Sequence, residues 1–190
     1  MKDSYLKLLS AVFSEVSLAF YLILIFSFYG NIGGMGALDN ILIGSLFMLI
    51  LPVSAVAVSY RKVVLEMGSI AKGKRTKFYL FNLLCYAIVS FVFNYFGNLT
   101  MLEISLSYFF SMLILFFINF KSKISLHAAG VSITSMVLIL NFKLIGVISL
   151  VLVPFVWWLR LKLKAHNIEQ LLWGSFVGFV VTDIVFLVFM

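Results

Sequence analysis

Long apolar runs alternate with short polar breaks along the whole chain. A helix needs roughly 20 consecutive apolar residues to cross the hydrocarbon core of a bilayer. Seven runs read as candidate spans, at about 5–29, 38–60, 78–97, 99–120, 125–142, 144–160 and 167–190. Very short turns join the third to the sixth: "GNLT" at 97–100 and "NFK" at 141–143 force antiparallel neighbours. The fifth and sixth runs are short, and the count falls to six if they are re-entrant. The runs are continuously apolar and lack the alternation of a barrel strand. The pattern predicts an all-α integral membrane protein, a polytopic bundle of six or seven transmembrane helices forming one domain over residues 1–190.

Composition agrees with that pattern. Hydrophobic residues make up 64% of the chain and charged residues 11%, a surface no soluble domain of 190 residues could solvate. The single cysteine, Cys85, lies inside an apolar run and implies neither a disulfide framework nor a thiolate metal site. The first run has Asp3 and Glu15 near it and no small-residue cleavage site after it, so it reads as a retained span. Three acids, Glu15, Glu103 and Asp183, fall within spans. Intramembrane acids raise a functional question, but a hydrogen bond to Ser, Thr or Tyr of a neighbouring span is the simpler expectation.

Charge adds an orientation. The net charge is +7. With seven spans, Lys2, Lys7, Arg61, Lys62, Lys72, Lys74, Arg75, Lys77, Lys121, Lys123, Arg160, Lys162 and Lys164 all fall at one face, and only Lys143 at the other. The positive-inside rule makes that face cytoplasmic in a cell membrane. Cations in short loops between spans point to lipid phosphate as the partner and away from nucleic acid.

The candidate chemistry lies at the same face. The chain's two histidines, His127 and His166, both sit at span ends there. Histidine acts near neutral pH as nucleophile, acid or base. Two of them on a basic surface suit phosphoryl transfer without a metal, one attacking phosphorus and the other protonating the leaving oxygen. Gln170 lies four after His166, on one helical face, and can hold one ring nitrogen. The Arg160 guanidinium can fork two phosphate oxygens, and Ser125 with the backbone N–H groups opening the fifth span can also donate to an anion. Snorkelling of interfacial histidines and lysines is the competing account of the same residues.

The segment "RLKLKAHNIEQ" at 160–170 resembles the third signature of the type 2 phosphatidic acid phosphatase superfamily: Arg160, five residues, His166, three residues, Gln170. "ISLH" at 124–127 resembles the second signature, Pro-Ser-Gly-His, in the family's order. Gln170 stands where the family has aspartate, Leu126 and Ile124 where it has glycine and proline, and Leu159 where it has serine. The resemblance implies His166 as nucleophile, His127 as general acid, Arg160 and Ser125 as phosphoryl ligands, and no metal or other cofactor. Its first signature has its best substitute in "KGKRTKF" at 72–78, with Lys72, Lys74 and Arg75; Lys121 and Lys123 compete for that phosphate-binding role. The implied substrates are polyprenyl phosphate or diphosphate, phosphatidate or phosphatidylglycerophosphate. The alternative is a non-catalytic carrier or flippase for an anionic lipid or solute, using the same basic pocket with Asp183 or Glu15 as coupling group.

Overall fold

The structure, a computed structural model, describes residues 2–29, 33–59 and 72–189; residues 2, 3, 56–59 and 72–75 are described by their backbone alone. All regular structure among these residues is helical. The helices are α1 (Lys2–Val12), α2 (Glu15–Tyr29), α3 (Ala37–Ser45), α4 (Leu51–Ser59), α5 (Lys72–Tyr95), α6 (Leu99–Asn119), α7 (Leu126–Phe142), α8 (Leu144–Val147), α9 (Leu152–Lys162) and α10 (Ile168–Phe189). A π turn (Leu46–Ile50) joins α3 to α4, and a 3-10 turn (Ile148–Val151) joins α8 to α9. Each irregular turn lies just ahead of a proline, Pro52 or Pro154. Proline cannot donate to the carbonyl four residues back, and a widened or tightened turn absorbs the missing bond.

Among the described residues five segments are long and apolar enough to cross a membrane: Ala37–Ala55, Thr76–Tyr95, Leu99–Asn119, Leu144–Lys162 and Ile168–Phe189. The expected first span is a bent pair, with α1 and α2 meeting at 44°. The sequence there is apolar throughout, but Ser14 interrupts the helix by capping α2: its hydroxyl accepts the Ser17 N–H at 3.3 Å. α7 is a shorter apolar helix of 17 residues. The remaining boundaries agree with the expected spans to within a few residues.

Contacts at the two ends set the direction of each helix. At one end the 33–36 turn meets the α5–α6 turn, where the Gly34 N–H donates to the Phe96 carbonyl at 2.7 Å and Asn98 Nδ2 to Asn40 Oδ1 at 2.9 Å. Gly33 and Gly97 take left-handed φ values of 57° and 70°, and a Cβ on Gly33 would strike the Gly97 backbone at 2.6 Å. Phe26 stacks on Phe142 at this same end. At the opposite end the α6–α7 turn meets the α9–α10 turn. Exposed aromatic residues mark both ends: Tyr29 and Tyr95 at the first, Trp158 and Trp173 at the second. Such rings favour the membrane–water interface.

Small residues bring the central helices together. α10 packs more extensively on α7 than on any other helix. A Cβ on Gly174 would lie 2.6 Å from the Ser125 carbonyl oxygen, and one on Gly178 would lie 2.5 Å from that of Ala129. Glycines four apart let helix backbones touch where lipid supplies no hydrophobic driving force. Polar interior groups pair across helices: Ser90 with Ser105 at 2.8 Å, Tyr86 with Glu15 at 3.2 Å and Tyr108 with Thr134 at 3.4 Å. Glu15 thus has the tyrosine partner expected of a structural acid. We predict that Gly174→Ala lowers the melting temperature of the purified protein in detergent, by the equivalent of about 1–3 kcal/mol. An unchanged or higher melting temperature would mean that α7 and α10 are not in backbone contact.

Candidate functional site

The site begins with the way α9 ends. Ala165 N–H donates to the Arg160 carbonyl at 3.1 Å and Lys164 N–H to that of Leu161 at 3.0 Å. These two bonds form a Schellman cap, with Lys164 in the left-handed position at φ 51°. The cap reverses the chain within one turn and returns His166 to the end of the bundle where Arg160 lies. Lys123 Nζ donates to the Ala165 carbonyl at 3.0 Å, which ties the α9–α10 turn to the α6–α7 turn. The Ser125 N–H donates to the Gln170 carbonyl at 3.3 Å, a second tie between the same segments.

α10 opens with a reciprocal cap. Asn167 Oδ1 accepts the Gln170 N–H at 2.9 Å, and Gln170 Oε1 accepts the Asn167 N–H at 3.3 Å. This is a capping box with Asn and Gln as its members. The same Gln170 Oε1 lies 2.9 Å from His166 Nδ1. A backbone N–H can only donate, so the Gln170 atom facing it must be oxygen. That oxygen can only accept, so His166 Nδ1 carries the proton. In the neutral ring the lone pair is then on Nε2. The Asn-x-x-Gln spacing is visible in the sequence and identifies Asn167, which the histidine pattern alone does not.

His127 is the second residue of α7 and is buried. Its Nε2 lies 3.1 Å from the Ser10 carbonyl oxygen and 3.3 Å from the Ser10 hydroxyl. The carbonyl accepts, so this nitrogen carries a proton. Arg160 is buried as well, and its Nη1 donates to the same Ser10 hydroxyl at 2.7 Å. Ser10 therefore joins the arginine and the histidine. It sits in an apolar run with no spacing to either, and only the three-dimensional arrangement reveals it. Both Arg160 and His166 lie close enough to His127 to act on its charge.

Ser125 and the remaining cations complete the set of expected site residues. Ser125 is buried and caps α7, its Oγ accepting the Ala128 N–H at 3.3 Å. The side chains of Lys72, Lys74 and Arg75 lie outside the described residues, as do residues 61–71 between the second and third expected spans, with Arg61 and Lys62. Lys121, Lys162 and Lys164 are exposed around the site, with Glu169 the exposed acid opening α10. Among the described residues no three His, Cys, Asp or Glu side chains converge as metal ligands.

No protein-family model, curated protein or solved structure matches the chain. We predict that Gln170→Leu, which removes both the cap and the histidine acceptor, lowers stability by about 1 kcal/mol, whereas Gln170→Glu, a common member of such boxes, preserves it. Thermal melts of the two variants check this. Equal loss in both would mean that the amide oxygen is not the atom that matters.

Proposed function

We propose that the chain is a membrane-embedded phosphatase that removes phosphate from a lipid phosphate or diphosphate, through a phosphohistidine formed on His166 and without a metal cofactor. The observation that carries the reading is the Gln170 oxygen, held by a backbone N–H and facing His166 Nδ1. It directs the lone pair of His166 to Nε2, the nitrogen that attacks. The resemblance of 124–127 and 160–170 to the lipid phosphatase signatures supports the same roles.

The chemistry runs in two steps. His166 Nε2 attacks phosphorus and the bond from phosphorus to the leaving oxygen breaks; His127, in its imidazolium form beside the bound anion, gives its Nε2 proton to that oxygen and is left neutral. Water then attacks the phosphohistidine, His127 takes back a proton, and inorganic phosphate leaves. Arg160 neutralises the charge that spreads over the phosphoryl oxygens, with Lys123 adding to the positive field from the α6–α7 turn. An amide at Gln170 fixes the tautomer as a carboxylate would, but stabilises the imidazolium less. The site takes a phosphate headgroup at the membrane surface while the apolar spans hold the chain of a polyprenyl phosphate, phosphatidate or phosphatidylglycerophosphate. By the positive-inside rule this end faces the cytoplasm.

A second reading is a carrier for an anionic lipid or solute. Glu15 Oε2 and both amide atoms of Asn82 are buried without a hydrogen-bond partner among the described residues, and the first span is broken beside Glu15. Broken helices and intramembrane acids recur in transporters.

Phosphate release from polyprenyl diphosphate and phosphatidate, with chelator present, separates the two. The phosphatase reading expects turnover that falls at least about a hundredfold in His127→Ala, the weight of a general acid, and to background in His166→Ala. Turnover that survives His166→Ala contradicts the nucleophile. Binding without turnover in the wild type favours the carrier.

A further inference from the structure

α1 is held to the bundle in an unusual way. Of the side chains at 4–12, Ser10 is the buried one, and Tyr5, Leu8, Leu9 and Val12 are exposed. A helix with so little buried apolar surface is among the least stable parts of a fold. One of its anchors is Ser10, whose hydroxyl is inserted between Arg160 Nη1, at 2.7 Å, and His127 Nε2, at 3.3 Å. The two donors that a phosphoryl group needs are thus both engaged by one residue of α1.

The joint behind this anchor is a pivot. Phe13 and Ser14 are non-helical, and α1 and α2 meet there at 44°. The pivot itself is fastened: Ser17 Oγ donates to the Ala11 carbonyl at 2.8 Å, Tyr21 Oη to that of Val12 at 3.3 Å, and Phe13 meets Phe155 edge-on. α2 has its own cap in Ser14 and keeps its first turn if α1 moves.

We infer that the Ser10 hydroxyl holds the place of a phosphoryl oxygen in the resting protein, so that α1 is a latch over the anion site, released when a phosphate group displaces it. The inference rests on the reading of Arg160 and His127 as phosphate ligands. A phosphate oxygen fits the same 2.7 Å geometry to a guanidinium as a hydroxyl does, and it brings a negative charge. Displacement exchanges a neutral acceptor for an anionic one at the same donor. It also releases the His127 proton from the Ser10 carbonyl, which is the proton that the leaving oxygen requires. Ser10 is accordingly a positioning residue that competes with substrate and does not react.

Hydrogen–deuterium exchange of the full chain in nanodiscs tests the latch through the amides of residues 4–12. Inorganic phosphate and a short-chain phosphatidate are the probes, added separately. Release by both marks the phosphate group itself as the ligand, and release by phosphatidate alone marks a lipid headgroup; each supports the latch. Ser10→Ala should loosen the same amides with no ligand present and tighten phosphate binding about tenfold, the weight of one hydrogen bond to a charged donor. Ser10→Thr, which keeps the hydroxyl, should behave as the wild type. Unchanged exchange in the wild-type protein at high concentrations of both probes overturns the inference and needs no variant. Weaker phosphate binding in Ser10→Ala also overturns it, because Ser10 would then be a strut that holds Arg160 in position. Latch release without phosphate liberated from any lipid would remove the phosphatase reading and leave the latch standing.

Discussion

The close approach of α7 and α10 is the contact on which the rest depends. Gly174 brings the start of α10 against the Ser125 carbonyl, and Gly178 brings the next turn against Ala129. With those backbones touching, the first turns of the two helices lie side by side. The Ser125 N–H then reaches the Gln170 carbonyl, and Lys123 reaches Ala165. A side chain at either glycine would push the helices apart and separate His127, near the start of α7, from His166, just ahead of α10. Within a bilayer this contact has no hydrophobic substitute, since lipid solvates an apolar helix as well as another helix does.

Polar groups at this end serve structure and proposed chemistry at once. Gln170 Oε1 closes the capping box of α10 and sets the tautomer of His166. A carboxylate at this position would do both and add a charge; the amide does both without one. The Arg160 carbonyl accepts the Ala165 N–H in the Schellman cap, and its guanidinium donates to Ser10. Burying a guanidinium is costly unless its donors are used, so whatever accepts from Arg160 contributes to the stability of the whole end. In the resting protein one such acceptor comes from α1. This links the position of the first helix to the occupancy of the basic site.

Hydropathy made the bundle legible, because each apolar run had only one way to be stable in hydrocarbon. It did not reveal the break at Phe13 and Ser14. The local sequence is apolar on both sides, and the break depends on Ser14 and Ser17 capping into an environment that α9 supplies through Phe155. The face carrying His127, Arg160 and His166 followed from counting spans; the His166–Gln170 pair was expected from helical spacing, but His166 lies ahead of α10 and meets Gln170 because the Asn167 cap turns that amide back. Ser10 was not legible, since its role depends on residues 117 and 150 positions away. The glycines of α10 and the Asn167–Gln170 box carry local signals, small-xxx-small and Asn-x-x-Gln, that the search for chemistry passed over. Ser125, the signature position that suggested a phosphate ligand, is also the N-cap of α7, a role its place ahead of an apolar run could have signalled.

The central claim is that Gln170 directs the lone pair of His166 to Nε2 and that this nitrogen takes the phosphoryl group. Trapping turnover of a lipid phosphate by alkaline quench, followed by mass spectrometry and phosphorus NMR of the peptide containing His166, tests it directly. The account predicts phosphate bonded to Nε2 of His166. Phosphate on Nδ1, on His127 or on any other residue, or turnover with no phosphorylated protein at all, would contradict it.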